Sequence, residues 1–145
     1  MYLGTAAPCN VKHMASEEES QRKQKRRSSM AKDDMRVIMY KILKYLYECM
    51  KIGRRPALED MCCRSTLFQI PEEYWKQIIV ELSEAGYVKG FIHTMTKNGL
   101  AVTMTDSASI TLAGVEFLEE NGSMAKVRRF LGSAFEIVLE TILKA

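Results

Sequence analysis

The sequence predicts an α+β chain that is mostly helical, and three observations predict it. Pro71 to Ala85 places Trp75, Ile78, Ile79 and Leu82 on one stripe at helical spacing, and Gly86 ends the run. Two β-prone runs follow, Tyr87–His93 and Leu100–Met104, and Lys97-Asn98-Gly99 between them carries the Asn-Gly pair of a tight hairpin. Ile110-Thr111-Leu112-Ala113-Gly114 then opens a short helix. A helix followed at once by a hairpin is the second half of a winged helix-turn-helix, here with a β-hairpin wing and an extra C-terminal helix. That architecture sets its helix and wing against a nucleic acid or a protein partner. The fold alone does not choose between them.

Each element has local reasons. Asp33 or Asp34 caps a first helix over Met35–Lys51, with Ile38, Ile42, Leu46 and Cys49 on one stripe and Val37, Tyr45 and Met50 widening it. Ile52-Gly53 ends it, and Arg54-Arg55-Pro56 makes a basic corner. Ala57–Met61 reads as a short second helix presenting Leu58 and Met61, and the long connection beyond it predicts a one-turn helix around Leu67. Pro71 suits the first turn of the third helix, where its missing N–H is not needed, and Glu72 and Glu73 suit the positive end of the dipole. Thr111 caps Leu112–Glu120, with Val115 and Leu118 facing inward, and Asn121-Gly122 closes it.

The last helix is expected to run unbroken from Ser123 or Met124 to about Lys144. Met124, Val127, Leu131, Ala134, Val138 and Thr141 recur at alternating spacings of three and four. Phe130, Phe135, Ile137, Leu139, Ile142 and Leu143 make it apolar on more than one side. This surplus predicts a homodimer, with Met124, Val127, Leu131, Phe135, Val138 and Ile142 as the dimerisation face; the alternative is that all of it caps the chain's own core.

Hydrophobic residues make up 47% of the 145, enough for a real core. No apolar run approaches the roughly 18 residues of a membrane span, and Met1–Met14 lacks the basic start and apolar stretch of a secretory signal. A cytoplasmic, reducing location with no membrane contact is the expectation. Cys9, Cys49, Cys62 and Cys63 form no Cys-x-x-Cys pair, so free thiols are expected rather than a metal site built from Cys49, Cys62, Cys63 and His93.

The net charge of +3 is unevenly spread. Six of the 21 basic and three of the 18 acidic residues lie in 1–29, leaving fifteen of each in 30–145. The positive balance therefore belongs to a tail, 1–31, whose polar composition predicts disorder. Lys23-Gln24-Lys25-Arg26-Arg27 has the makings of a phosphate-binding arm, but Arg26-Arg27 can also be encoded by AGGAGG, a bacterial ribosome-binding sequence two codons ahead of Met30. On that reading Met30 is the natural start and the preceding residues are leader. The organisation expected is a tail over 1–31, a winged-helix domain over 32–122 and a C-terminal helix over 123–145.

Catalysis is not expected. His93 has no serine and acid series around it, and Glu72-Glu73 and Glu119-Glu120 diverge by about 100° on their helices. No glycine-rich phosphate loop is present, and no cofactor or metal is called for. For binding, the outer side of the third helix offers Tyr74, Lys76 and Gln77. Gln77 can pair with adenine, and Lys76 can reach phosphate or guanine. Lys97 and Asn98 at the wing tip, with Arg54, Arg55 and Arg64, would hold phosphates. Against this, Pro71–Gly86 holds four acids and one base, a poor match for DNA. Trp75, Tyr87 and Phe91 read more readily as core than as a recognition surface, whereas an exposed Tyr74 would anchor a protein partner.

Met30-Ala31-Lys32-Asp33-Asp34, Tyr40 to Glu48, Glu73-Tyr74-Trp75, Gly86-Tyr87 and Ile110 to Asn121 together resemble the YjcQ-like family. These are small winged-helix proteins of Gram-positive bacteria and their prophages, and the likeness covers about residues 30–131. The resemblance implies the fold, a bacterial or prophage setting and Met30 as the start, but carries no assigned chemistry. Two functions follow as expectations: a DNA-binding transcriptional regulator acting on double-stranded DNA, and a protein-binding winged helix such as a phage-encoded modulator of a host or defence protein.

Overall fold

A computed structural model describes residues 31–144; the tail and the leader reading of 1–29 lie outside the described residues. Ala31–Ala145 form one compact unit. Its elements are α1 (Met35–Ile52), α2 (Leu58–Met61), α3 (Glu72–Glu84), β1 (Val88–Thr96), β2 (Gly99–Ile110), α4 (Leu112–Glu120) and α5 (Gly122–Lys144). Helices, a two-stranded antiparallel wing and a C-terminal helix give the α+β winged-helix layout.

α1 is the centre. Asp34 caps it by accepting the Arg36 amide at 2.9 Å. Val37, Ile38, Tyr40, Ile42, Leu43, Tyr45, Leu46 and Cys49 are all buried, so the apolar surface covers most of the circumference rather than one stripe. Helices α3, α4 and α5 and strand β2 all pack on it. Tyr45 is held by both ends of its hydroxyl, donating to Asp60 Oδ2 at 2.8 Å and accepting from the Ala57 amide at 3.0 Å. Burial pushes its phenol up.

Between α2 and α3 the chain makes a tight reversal, not the one-turn helix expected around Leu67. Arg64 and Gln69 form an isolated antiparallel bridge, the Ser65 amide donates to Phe68 O and the Ile70 amide to Cys63 O. Leu67, Phe68 and Ile70 turn inward from it. Pro71 stands one place earlier than expected, as the cap of α3.

The wing is longer than its two β-prone runs. Thr96 pairs with Gly99 across Lys97-Asn98, and the ladder continues to Phe91–Met104. It then slips: β1 passes one residue, Gly90, while β2 passes four, Thr105 to Ala108, before Lys89 meets Ser109. Thr105 Oγ1 donates to Gly90 O at 2.7 Å and stitches the bulge. At the base, the Thr111 hydroxyl donates to Gly86 O, the Thr111 amide to Tyr87 O, and the Gly114 amide to Thr111 Oγ1. Tyr87 stacks on Phe117 with centroids 4.4 Å apart. The Ile-Thr-x-x-Gly sequence thus fastens the wing to α4.

α5 is not the single rod its periodicity predicts. Gly132 lies at φ 63, ψ −158 and divides it. Before the break Met124 and Val127 are buried; beyond it Phe135 and Leu139 are, one residue out of phase with the expected Ala134 and Val138. Met124, Val127 and Phe135 therefore belong to the chain's own core, which removes them from the dimerisation face. Leu131, Val138 and Ile142 are half-buried.

Candidate functional site

The face of α3 is fixed by what lies beneath it. Trp75 inserts with its Nε1–H donating to the Met61 carbonyl at 2.8 Å, and Ile78, Ile79 and Leu82 follow it into the core. This turns Glu72, Glu73, Gln77, Glu81 and Glu84 outward. Lys76, expected to reach for nucleic acid, lies 3.6 Å from Glu72 Oε1 and 3.4 Å from Glu73 Oε1, and its side chain is only 17% exposed. Its charge is taken up within its own helix, which stays net negative. Tyr74 is engaged as well: its hydroxyl donates to the Asp33 carbonyl at 2.7 Å, tying α3 to the turn before α1. Gln77 alone of the three presents an exposed side chain.

The expected phosphate clamp is scattered and partly committed. Arg54 Nη1 donates to the carbonyls of Ile142 and Leu143, both at 2.9 Å, and its Nη2 stands 3.7 Å from Asp60. A cation on the last carbonyls of a helix satisfies its orphan acceptors and complements its dipole, so Arg54 is an anchor for α5 rather than a phosphate ligand. Arg55 is exposed on the same corner, Arg64 in the reversal, and Lys97 and Asn98 at the wing tip. These belong to three separate elements. Among the described residues, no group of three or more His, Cys, Asp or Glu is placed to hold a metal, and no helix is long and apolar enough to cross a membrane. Cys49 is buried, which pushes its thiol up, and Cys62 and Cys63 are free thiols.

One feature has no counterpart in the sequence expectations. A groove of about 850 Å³ runs between the Ser65–Gln69 reversal and the break in α5, floored by Phe130, Leu131, Phe135 and Val138 and flanked by Lys32 and Asp33. Lys41 reaches into it from α1, donating to the Leu67 carbonyl at 2.8 Å. Burial, and then the nearby charge of Lys32, pushes its ammonium below the usual lysine range. Lys41 is half-buried because the reversal folds over it and the Phe135 ring of α5 lies 5.9 Å from its ammonium.

Taken together, an α1-centred helical body, an acidic α3 and a fastened wing define a small winged-helix protein. The family model described as YjcQ protein matches residues 40–134, and the chain belongs to the YjcQ family. No curated protein and no solved structure matches it.

Proposed function

We propose that the protein is a non-enzymatic winged-helix module that engages a protein partner through the exposed face of α3. The observation that carries this reading is the capture of Lys76 by Glu72 and Glu73, which leaves a carboxylate-rich face around Gln77. Phosphates spaced along a groove would meet repulsion there, whereas a basic protein surface would meet complementary charge and the amide of Gln77. A bacterial or prophage modulator of another protein is the role that suits such a face.

A second reading, DNA binding in a regulator, draws support from a different place: Lys97 and Asn98 are exposed at the wing tip, and Arg55 and Arg64 are exposed beside α2 and α3. In that case the wing and not the helix would carry the affinity. Fluorescence anisotropy with duplex DNA separates the two, using the whole chain and residues 31–145 at two salt concentrations. The protein-partner reading expects no salt-dependent binding by residues 31–145, and a photo-crosslinker at Gln77 should give a protein adduct in cells. Steeply salt-dependent binding by residues 31–145, lost in Lys97→Ala, would overturn it.

A further inference from the structure

We infer that the groove between the Ser65–Gln69 reversal and the broken α5 is a ligand site for an amphipathic carboxylate. A single apolar chain would lie against Phe130, Leu131 and Val138 with its carboxylate on the Lys41 ammonium. The inference is independent of the partner proposed for α3.

The apolar half of the site follows from Gly132. The break turns Phe135 and Leu139 into the core and leaves Phe130 at the end of the first segment, 45% exposed, beside Leu131 and Val138. An aromatic ring so exposed at the edge of a concave apolar floor offers area to a ligand. The volume, about 850 Å³, falls within the range of small-molecule sites, about 300–1,000 Å³.

The polar half follows from Lys41. Its ammonium has three donors, and the hydrogen bond to Leu67 O uses one. Among the described residues it takes part in none of the ion pairs, although it is half-buried and lies 5.9 Å from the Phe135 ring centroid. The charges lining the groove are Lys32 and Lys41 against Asp33, a net positive balance in a partly desolvated space. An anion would offset both the burial and the repulsion by Lys32 that weaken the Lys41 ammonium. Ser65 lines the same wall; it is buried, and its Oγ makes no hydrogen bond. A carboxylate has acceptor capacity for the two remaining donors of Lys41. A neutral apolar ligand would leave them wanting, and a cation would meet Lys41 and Lys32.

The test uses decanoate as the probe, with 1-decanol as its uncharged counterpart, on the full chain. Calorimetry gives the affinity and ¹H–¹⁵N spectra give the place. Decanoate is expected to shift the amides of Lys41, Leu67, Gln69, Phe130 and Val138, and to bind at least tenfold more tightly than decanol. Lys41→Gln should reduce decanoate affinity at least tenfold and leave decanol unchanged. Ala134→Trp fills the groove from an exposed helical position, so it should abolish the shifts with the circular dichroism spectrum intact. Equal binding of decanol and decanoate, or shifts confined to other surfaces, would overturn the inference. So would an absence of decanoate binding, with or without a dimer that Ala134→Trp dissociates; such a dimer would assign the groove to a second copy.

Discussion

Gly114 and Gly132 sit at two joints of the same molecule and do opposite things. At the base of the wing, Gly114 lets α4 press on the chain leaving α3. A Cβ there would stand 2.2 Å from the Tyr87 carbonyl oxygen and 2.7 Å from Ile110. In α5, a Cβ on Gly132 would meet nothing within 4 Å, but the backbone itself, at φ 63 and ψ −158, occupies a region nearly closed to other residues. The first glycine is needed for space and the second for conformation. One makes a joint that cannot open without breaking contacts; the other makes a bend that exists only because a side chain is missing.

The largest effect expected is therefore at Gly114. Gly114→Ala forces a methyl against the Tyr87 carbonyl and should cost about 3 kcal/mol, the upper end for overpacking, seen as a large fall in the urea midpoint or a failure to fold. Gly132→Ala tests the other joint and should cost about 2 kcal/mol, because alanine must either bear the strained backbone or straighten the helix. Straightening would bring Ala134 and Val138 into the phase now held by Phe135 and Leu139, so the loss should come with a gain in helical circular dichroism at 222 nm. A loss at Gly132 equal to that at Gly114, with no change in helicity, would erase the distinction.

Arg54→Gln sharpens the comparison by freeing the far end of α5, with loss of the ion pair with Asp60 as well. Losing the charged donor on Ile142 O and Leu143 O should cost about 1 kcal/mol and speed amide exchange over residues 137–143, while exchange in α3 stays unchanged. The smallest effect lies at Asp34, remote from both joints. The Arg36 side chain beside it holds the Asp34 carboxyl below the usual carboxylate range. The folded state thus binds its proton less tightly than the unfolded chain, so the stabilisation is present above about pH 4 and is lost as pH falls through the folded value. Asp34→Asn keeps the cap, and its stability deficit against the parent should begin to shrink as pH falls through about 4 and vanish once pH has passed below the folded value.

The two joints also mark what a reader of the sequence could and could not see. Ile-Thr-x-x-Gly reads as a cap and a helix start, and the structure adds that its threonine bonds back to Gly86 and Tyr87 and that its glycine is a contact point. Trp75, Ile78, Ile79 and Leu82 read directly as the buried side of α3 because the apolar spacing of an amphipathic helix is a local signal. The break at Gly132 was hidden because Met124, Val127, Leu131, Ala134, Val138 and Thr141 keep their spacing across it. Periodicity reports a stripe and is blind to one residue whose backbone leaves the helix. The candidate surface fared similarly. Gln77, Lys97 and Asn98 are exposed as their positions suggested, but the capture of Lys76 and the use of Arg54 as an anchor depend on partners 3 to 89 residues away, and only the former was within reach of helical spacing. The groove around Lys41 needed the reversal and the break together, and neither is local to it.

The slip in the wing has a consequence for how such a protein can vary. Below it, Val88–Ile110 and Lys89–Ser109 belong to the body; above it, six consecutive pairs from Phe91–Met104 to Thr96–Gly99 stand on their own ladder. The Thr105–Ala108 bulge works as a splice point between a mounting and a fitting. A tip of different length or chemistry can be grafted above it in matched pairs of residues, with the mounting left as it is.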